Sequence, residues 1–368
     1  MAKKQIEGKF PVVVTEDVFA EGNGELVKVL KAITGAEAPR VTLVADSNVV
    51  QRTEGLGSKI GRYFQAHGVV LAGPPVVVSG GEKIKSDNFQ TAVKIATALV
   101  DARIGVDDVV IAMGGGTLLD VAGWAASQVR GGIRILRMPT TVASMVDAAF
   151  AECAALDAPS VKDAFRVPCL PAAVVVDTAF AKTVLDGVWR GGFAEAVRLA
   201  AVSDAALVKR LAKRAEAIKA RDYEALRESV AECVELREKK GDTPFAHWCA
   251  ARLEAMSGYK LPHGYAVAIA ICIDCAYAVG QKIMKESDQE LVCRVLAECG
   301  SLDGLVHSHH LLSQPDNIML GLDAWKLATG SSGITLPSAL GKCKVEEMPD
   351  REAYVSGIKE FLSVSQAE

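Results

Sequence analysis

The chain contains 368 residues, of which 50% are hydrophobic, 23% charged and only 5% aromatic. This profile is typical of a soluble globular protein with enough apolar material for a sizeable core, and the scarcity of aromatic residues favours helices packed on a sheet over a β-sandwich. The formal net charge of −4 is weak, which argues against a nucleic-acid-binding or membrane-surface protein.

The first half of the sequence alternates short β-branched runs with helical patterns. The runs are PVVVTED, RVTLVAD (residues 40–46), PPVVVSG (74–80), DVVIAMG (108–114), IRILRMP (133–139) and AAVVVDT (172–178), and segments such as residues 88–102 have helical periodicity. Near-continuous apolar strands separated by helices indicate a parallel sheet covered on both faces. We therefore predict an α/β, Rossmann-like domain over residues 1–180.

The end of the run DVVIAMG is the strongest local signal. There a strand leads into Gly114, Gly115 and Gly116, and a helical pattern follows directly. Glycines let the backbone approach a phosphate, and a helix N-terminus supplies free N–H groups. At other strand ends, Asp46 could bind ribose hydroxyls or cap a helix, and the loop SGGEKIKSDN could contact a nucleotide or be solvated. Together these strand ends favour nucleotide binding over a tight packing turn.

After residue 180 the β-branched runs stop. Five consecutive helical patterns follow, at residues 193–216, 223–239, 245–257, 264–283 and 288–299. The longest apolar stretch, residues 266–280, is interrupted by Asp274 and is shorter than a bilayer-spanning helix, so a buried helix is expected. We predict an all-helical domain over residues 181–368.

The sequence gives no sign of export. Its beginning, MAKKQIEGKF, has a basic dipeptide with no apolar run behind it, unlike a signal peptide. Of the nine cysteines, only Cys272 and Cys275 have CxxC spacing, and on an apolar helix this spacing is more typical of core packing than of a metal site. These features indicate reduced thiols and a cytoplasmic location.

Two histidines and a glutamate could bind a metal ion. His247 lies in TPFAHWCAARLE and His263 in KLPHGYAVA, on two neighbouring predicted helices, while Glu195 lies in the apolar helical turn RGGFAEAVRLA, where an unpaired charge would be costly. Two imidazoles and a carboxylate can hold a divalent ion with positions open for substrate, although satisfied core or capping residues fit the same spacing. A second histidine group, in SLDGLVHSHHLLSQPDN, has polar surroundings typical of a solvated connector.

In their order along the chain, these segments resemble the 3-dehydroquinate synthase superfamily of sugar phosphate cyclases. The resemblance covers nearly the whole chain and rests on ADSNV, GGEKIKSDN, GGGTLLDVAGWAA, VRGG, MPTTVASMVD, VVVDT, GFAEAVR, CVELR, FAHWCAARLE and LPHGYAVA. The last two motifs are most similar to the cyclase-like branch found in bacterial and algal Ebo gene clusters. The resemblance implies the family's fold, an α/β NAD-binding domain followed by a helical metal and substrate domain, and it favours a homodimer.

The resemblance also implies the site residues, position by position. NAD would be contacted by Asp46, Asn48, Glu82, Lys85, Gly115, Gly116, Asp120, Thr140, Thr141 and Lys162. A catalytic metal, usually zinc, would be held by Glu195, His247 and His263. Asp147 would approach the substrate hydroxyls, Arg198 and Arg237 would replace the family's lysines, and Lys240 and Lys326 would lie near the substrate.

In the chemistry of this family, bound NAD transiently oxidises a hydroxyl group of a sugar phosphate. The resulting ketone acidifies the neighbouring C–H, phosphate is eliminated, the ketone is reduced again, and an aldol closure gives a carbocycle. The metal polarises the oxidised hydroxyl and carbonyl as a Lewis acid. NAD is regenerated in each turnover, so the net reaction is that of a lyase.

The substrate-binding half departs from the family pattern. A phosphate-binding lysine is replaced by Cys153, one asparagine by Asp163, another by Pro244 and a second histidine by Ala251. A carboxylate beside a phosphate is repulsive unless a cation compensates, and Arg130, Arg166, Lys240 or Lys326 could do so. We therefore expect altered substrate recognition, with a substrate like sedoheptulose 7-phosphate slightly favoured over the carboxylate-bearing precursor of dehydroquinate.

Three alternatives to this cyclase stay open. One is 3-dehydroquinate synthase proper. Another is an NAD- and metal-dependent polyol or alcohol dehydrogenase, because such enzymes share this architecture and need no phosphate pocket. The third is a non-catalytic descendant that retains a ligand site. Release of inorganic phosphate marks a cyclase, net accumulation of NADH marks a dehydrogenase, and neither occurs with a non-catalytic protein.

Overall fold

The computed structural model of the protein describes residues 10–331 and 333–367, which form two compact units. The α/β unit comprises the chain up to Thr140, Ala148–Leu156 and Arg166–Thr183; the helical unit comprises Thr141–Asp147, Asp157–Phe165 and the chain from Val184. The predicted domain boundary after residue 180 stays a prediction. Residues 1–9, on which the expectation about export rests, lie outside the described residues.

The strands and helices have the following bounds. The strands are β1 (Val12–Thr15), β2 (Arg40–Asp46), β3 (Val70–Leu71), β4 (Val76–Val78), β5 (Val109–Gly114), β6 (Arg134–Pro139), β7 (Cys153–Ala158), β8 (Val161–Pro168), β9 (Ala173–Asp177), β10 (Ile334–Ala339) and β11 (Lys342–Glu346). The helices are α1 (Glu25–Thr34), α2 (Ser47–Arg52), α3 (Leu56–His67), α4 (Gln90–Asp101), α5 (Gly116–Gln128), α6 (Val142–Val146), α7 (Asp186–Ser203), α8 (Ala205–Lys219), α9 (Tyr223–Lys240), α10 (His247–Met256), α11 (His263–Gly280), α12 (Glu286–Glu298), α13 (His309–Leu312), α14 (Pro315–Thr329) and α15 (Arg351–Ala367).

The α/β unit is built on one parallel sheet. Its strand order is β1–β9–β6–β5–β2–β3, and β4 also pairs with β2. All six predicted runs are strands of this sheet, and β5 and β9 are buried along their whole length, which explains why their apolar residues are continuous rather than alternating. The carboxyl ends of β2, β5 and β6 lie side by side, at the edge where open α/β sheets bind ligands.

The helical unit is organised around α7. This helix is buried from Phe193 to Ser203 and packs against α6, α8, α9, α11 and α12. A helix that is apolar on nearly every side needs neighbours all round it. The second half of the chain is therefore predominantly helical, as predicted.

Three details of the second half differ from the sequence-based expectation. The pattern predicted as one helix over residues 193–216 is two helices, because Asp204 ends α7 and its carboxylate caps α8 by accepting from the N–H groups of Ala206 and Leu207. The strands β10 and β11 form an antiparallel hairpin, so this half is not all-helical. The histidines of the expected connector lie in short helical turns, Val306–Ser308 and α13.

Helix α11 is longer than the apolar stretch seen in the sequence. Its 18 residues have the length and mean hydropathy of a membrane span, and 72% of that window is buried inside the protein. Core helices of soluble proteins have the same properties. The expected buried helix is confirmed; it begins three residues before the apolar stretch, and by length and composition alone it could span a bilayer.

A buried carboxyl group ties α11 to two other helices. Asp274, in the middle of α11, accepts hydrogen bonds from the indole N–H of Trp248 on α10 (3.1 Å) and from the hydroxyl of Tyr354 on α15 (3.0 Å). Burial raises the pKa of Asp274 to about 7, and the hydrogen bonds offset only part of that effect. Because Trp248 follows His247 and because α11 begins at His263, these contacts fix the two helices that carry the candidate metal ligands.

We predict that Asp274→Asn changes how stability depends on pH. The folded chain keeps a proton on this carboxyl group up to a pH of about 7, whereas the unfolded chain loses it near pH 4. The stabilisation is therefore present at low pH and lost as the pH rises through 7. From pH 5 to pH 8, the free energy of unfolding of the wild type should fall relative to the variant by about 3 kcal/mol.

Urea unfolding of both proteins at the two pH values measures this difference. The same gap between wild type and variant at pH 5 and pH 8 would show that Asp274 is ionised throughout this range.

Candidate metal and nucleotide sites

Helices α7 and α11 cross at a pair of glycines. A Cβ atom added to Gly264 would lie 2.1 Å from the carbonyl oxygen of Gly191, which is too close for any side chain. Glu195 lies one turn after Gly191 on the same face of α7, and His263 immediately precedes Gly264. The glycine contact therefore brings His263 to Glu195.

The next glycine of α7 accommodates the short helix α6. A Cβ atom on Gly192 would lie 2.6 Å from the Cβ of Val142 and 2.8 Å from the backbone nitrogen of Ala143. Helix α6 ends just before Asp147. This close approach allows Asp147 to reach Arg198, which lies farther along α7.

Glu195, His247 and His263 form a candidate metal site. The Oε1 atom of Glu195 lies 3.1 Å from Nε2 of His247 and 3.0 Å from Nε2 of His263, and one ligand atom from each residue lies within 4.8 Å of the others. The Glu195 side chain is buried, whereas those of His247 and His263 are 23% and 33% exposed. Two imidazole nitrogens and one carboxylate oxygen suit zinc and similar divalent ions and leave coordination positions for substrate.

A second buried carboxylate holds the far side of His263. Glu254 Oε1 accepts a hydrogen bond from Nδ1 of His263 at 2.9 Å, and Glu254 Oε2 is ion-paired with Lys162. A carboxylate on the second ring nitrogen fixes the tautomer and orientation of a metal-binding histidine. Glu254 was not predicted from the sequence, although it follows His247 by two helical turns on the same face of α10.

The pKa values in this cluster reflect close pairing of opposite charges. Burial raises the pKa of Glu254, but Lys162 and His263 outweigh it and lower the pKa to about 2. Burial lowers the pKa of His263, but Glu254 and Glu195 raise it to about 10. The pKa of Glu195 lies well below its usual range, because Arg198 and the histidines outweigh the effect of burial. Both carboxylates are thus ionised at neutral pH and attract a cation.

Arg198 and Arg237 lie beside the metal site. Arg198 donates through Nε to Glu195 Oε2, through Nη2 to Asp147 Oδ1 at 2.6 Å and through Nη1 to the carbonyl oxygen of Thr243 at 2.7 Å. Burial lowers the pKa of Arg198, but the surrounding carboxylates raise it above its usual range. Arg237 Nη2 lies 3.4 Å from Asp147 Oδ1. The bond from Arg198 engages one oxygen of Glu195 and leaves Oε1 directed at the histidines.

A third carboxylate, Asp242, also contacts the arginines and was not predicted from the sequence. It lies in the loop between α9 and α10, is ion-paired with Arg237, and has Oδ1 3.5 Å from Nη2 of Arg198. Partial burial raises the pKa of Asp242, but the two guanidinium groups lower it to about 2. No motif in the sequence marks this residue, because the contact depends on how the loop folds back.

The other cations that were expected near the substrate have different surroundings. Lys240 Nζ donates to the carbonyl oxygen of Ser203 at 2.8 Å, and Lys326 is exposed on α14. In the α/β unit, Arg130 Nε donates to a backbone carbonyl at 2.9 Å and Arg166 is exposed. The catalytic roles of Lys240 and Lys326 stay predictions.

Most of the predicted NAD contacts lie in the α/β unit: Asp46, Asn48, Glu82, Lys85, Gly115, Gly116, Asp120 and Thr140. Gly115 precedes α5 in an extended conformation, with φ −70° and ψ 172°, so the free N–H groups of α5 follow the end of β5. Asp46 accepts a hydrogen bond from the backbone N–H of Asn48 at 2.8 Å and thus caps α2, which was one of its two expected roles.

Some buried polar atoms of this unit have no partner. Among the described residues, Thr140 Oγ1 and Glu82 Oε2 are buried without a hydrogen bond. The other oxygen of Glu82 accepts from the hydroxyl of Thr117 at 3.1 Å, and Lys85 forms a 2.7 Å ion pair with Asp120. Unsatisfied buried oxygens are costly, so these atoms fit a ligand that supplies hydrogen-bond donors, as a nucleotide does.

The last two predicted NAD contacts, Thr141 and Lys162, belong to the helical unit. The Thr141 hydroxyl caps α6 by accepting from the backbone N–H of Ser144 at 3.3 Å, and Lys162 pairs with Glu254. Both residues therefore have structural partners there. Their contacts with NAD stay predictions.

Comparison with known proteins gives the class of this protein. The family model described as 3-dehydroquinate synthase N-terminal matches residues 75–190. The 3-dehydroquinate synthase of Pyrobaculum islandicum is 30% identical over 274 residues, which cover 68% of this chain and 78% of that protein. The chain therefore belongs to the 3-dehydroquinate synthase superfamily of sugar phosphate cyclases, as its motifs indicated; the finer assignment to the Ebo-cluster branch stays a prediction.

Two solved structures have the same fold over nearly their whole length. One is the 2-epi-5-epi-valiolone synthase of Streptomyces hygroscopicus subsp. jinggangensis with NAD+ and Zn2+ bound, which has a TM-score of 0.84, 21% identity and 100% coverage of both chains. The other is a 2-deoxy-scyllo-inosose synthase complexed with carbaglucose-6-phosphate, NAD+ and Co2+, which has a TM-score of 0.78, 18% identity and coverage of 96% of this chain and 97% of that one. They confirm the α/β fold with a helical second half.

We predict that His263→Ala removes metal binding, because it deletes one ligand of three. The affinity for Zn2+ should fall about a hundredfold or more, and Glu254→Gln, which keeps every ligand, should lower it about 10- to 100-fold. His307→Ala, in an exposed turn, is the matched control and should keep one ion per chain. Metal titration measures the Zn2+ affinity, and elemental analysis measures the number of ions per chain. A full ion content in His263→Ala would refute this site.

Proposed function

We propose that this protein is an NAD- and divalent-metal-dependent sugar phosphate cyclase, a carbon–oxygen lyase that releases phosphate and closes a carbocycle. The observation that carries this proposal is the convergence of Glu195, His247 and His263 in a member of the superfamily. The two structural neighbours, described with NAD+ and with Zn2+ or Co2+ bound, support the same cofactors here. A retained ligand set argues against a non-catalytic descendant.

The residues of the two units fit these cofactors. The metal, zinc by expectation, would be held by Glu195, His247 and His263. NAD would have its diphosphate at Gly115 and Gly116, with Asp46, Asn48, Glu82, Lys85, Asp120, Thr140, Thr141 and Lys162 as the further contacts. When bound, the two groups supply Lewis-acid polarisation of a hydroxyl or carbonyl oxygen and a reversible acceptor for a hydride.

The chain's own residues prepare this chemistry. Arg198 keeps one oxygen of Glu195 in a charge-assisted hydrogen bond, so the carboxylate cannot rotate away from the histidines. Glu254 accepts from Nδ1 of His263, so Nε2 is the nitrogen that would bind a metal ion once the ion displaces its proton. Asp147 is held by Arg198 and is 18% exposed, which lets it accept hydrogen bonds from substrate hydroxyls.

For the substrate we favour a ketose phosphate without a carboxylate, such as sedoheptulose 7-phosphate. The support is chemical: Cys153, Asp163, Pro244 and Ala251 stand where the resemblance calls for a cation, two amides and an imidazole. The second candidate is 3-dehydroquinate synthase proper, which the name of the relative from Pyrobaculum islandicum favours. We also propose that the protein is a homodimer in the cytoplasm.

The test is a side-by-side assay with sedoheptulose 7-phosphate and with the seven-carbon sugar-acid phosphate that dehydroquinate synthases use. We expect release of inorganic phosphate from the first, with no lasting increase in NADH absorbance, because the hydride returns in each turnover. Faster phosphate release from the sugar acid would establish the second candidate. Net NADH formation without phosphate release would establish a dehydrogenase.

We also predict that Gly115→Val weakens NAD binding at least about tenfold, because a branched side chain would fill the space of the diphosphate. The backbone at Gly115 is extended, so valine causes no backbone strain there. Gly61→Val, at an exposed position of α3 with open space around it, is the control and should bind NAD like the wild type. Calorimetry measures the NAD affinity of both variants. An unchanged affinity in Gly115→Val would refute the position of the NAD diphosphate at this glycine.

A further inference from the structure

The positive charges of the arginine pair are already matched by carboxylates of the same chain. Arg198 is paired with Glu195 and Asp147, and Arg237 with Asp147 and Asp242. Two guanidinium groups therefore face three carboxylates. These five groups by themselves offer an entering anion no excess of positive charge.

Asp242 differs from the other two carboxylates in its exposure. Its side chain is 49% exposed, compared with 18% for Asp147 and 0% for Glu195, while the two arginines are 1% and 4% exposed. Asp242 is therefore the member of this cluster that is most accessible to an entering solute, whereas the guanidinium groups are buried.

The loop that carries Asp242 is held in place on both sides. Gly241, with φ 73° and ψ −155°, reverses the chain at the end of α9 and returns Asp242 to Arg237 of the same helix. The carbonyl oxygen of the next residue, Thr243, accepts from Nη1 of Arg198 at 2.7 Å. The position of Asp242 is thus fixed by contacts with both arginines.

This arrangement treats a carboxylate and a hydroxyl group differently. A substrate carboxylate beside Arg198 and Arg237 would have to displace Asp242 or share the arginines with it. Two carboxylates that share the same guanidinium groups lie close together and repel each other. A hydroxyl group can donate to Asp242 and accept from a guanidinium group without adding charge. Discrimination by an unfavourable contact is a common source of specificity.

We propose that Asp242 is a specificity-determining residue, which selects a neutral, hydroxyl-bearing group of the substrate at the arginine pair and excludes a carboxylate. This inference rests on the proposed function, because it concerns how a sugar phosphate is chosen by the same site.

The experiment compares two probes that differ in one group, D-gluconate 6-phosphate and D-glucitol 6-phosphate. Their dissociation constants are measured by calorimetry with the NAD- and zinc-loaded wild type, with Asp242→Asn and with Asp242→Glu. In the wild type the polyol phosphate should bind more tightly. Asp242→Asn should shift the ratio of the two constants toward the sugar acid by about tenfold or more, and Asp242→Glu should keep the wild-type ratio.

Asp186→Asn is the matched control, because it removes an exposed carboxylate from a 2.6 Å pair with Arg221 and should leave the ratio unchanged.

Since both probes are measured on the same protein, the ratio does not depend on the folded fraction. Asp242→Ser replaces Asp242→Asn if the latter does not fold. A ratio unchanged in the variant that folds overturns the role of Asp242 while the cyclase proposal stands. Binding of neither probe to any of the proteins overturns the sugar phosphate site and this inference with it.

Discussion

The candidate metal site depends on how closely α7 and α11 can cross. Only a glycine at position 264 allows the backbone of α11 to touch the carbonyl oxygen of Gly191, and that contact sets the separation between Glu195 and His263. Metal–ligand distances tolerate deviations of only about 0.2 Å, so a small outward movement of either helix would matter more for the ligands than for the core. One segment, RGGFAEAVR, thus supplies both the close packing and two of the charged groups.

Charge in the helical unit is arranged as a chain of alternating signs. It runs through Lys162, Glu254, His263, Glu195, Arg198, Asp147, Arg237 and Asp242. A buried charge costs several kcal/mol unless an opposite charge offsets it, and here each member has one. The candidate metal ligands and the arginine pair therefore form one electrostatic system, in which the removal of a member leaves each of its neighbours with one opposite charge fewer.

The sequence was sufficient for the parallel sheet and for the grouping of the metal ligands. Buried parallel strands are near-continuous apolar runs, which the sequence displays directly, and the motif order pointed to Glu195 and the two histidines. Glu254 and Asp242 were missed because their importance comes from partners distant in sequence. The break between α7 and α8 was missed even though Asp204 is a typical N-cap, because the apolar periodicity continues through it.

The loop at residues 241–246 has a consequence for how this enzyme can diverge. In an ordinary surface loop, doubling the length costs only about 0.6 kcal/mol, so insertions and deletions accumulate there readily. In this loop an inserted residue would move the partner of Arg237 and also the first residue of α10, the candidate metal ligand His247. A change in the length of this loop would therefore shift the candidate metal ligand His247 and the proposed specificity residue Asp242 together.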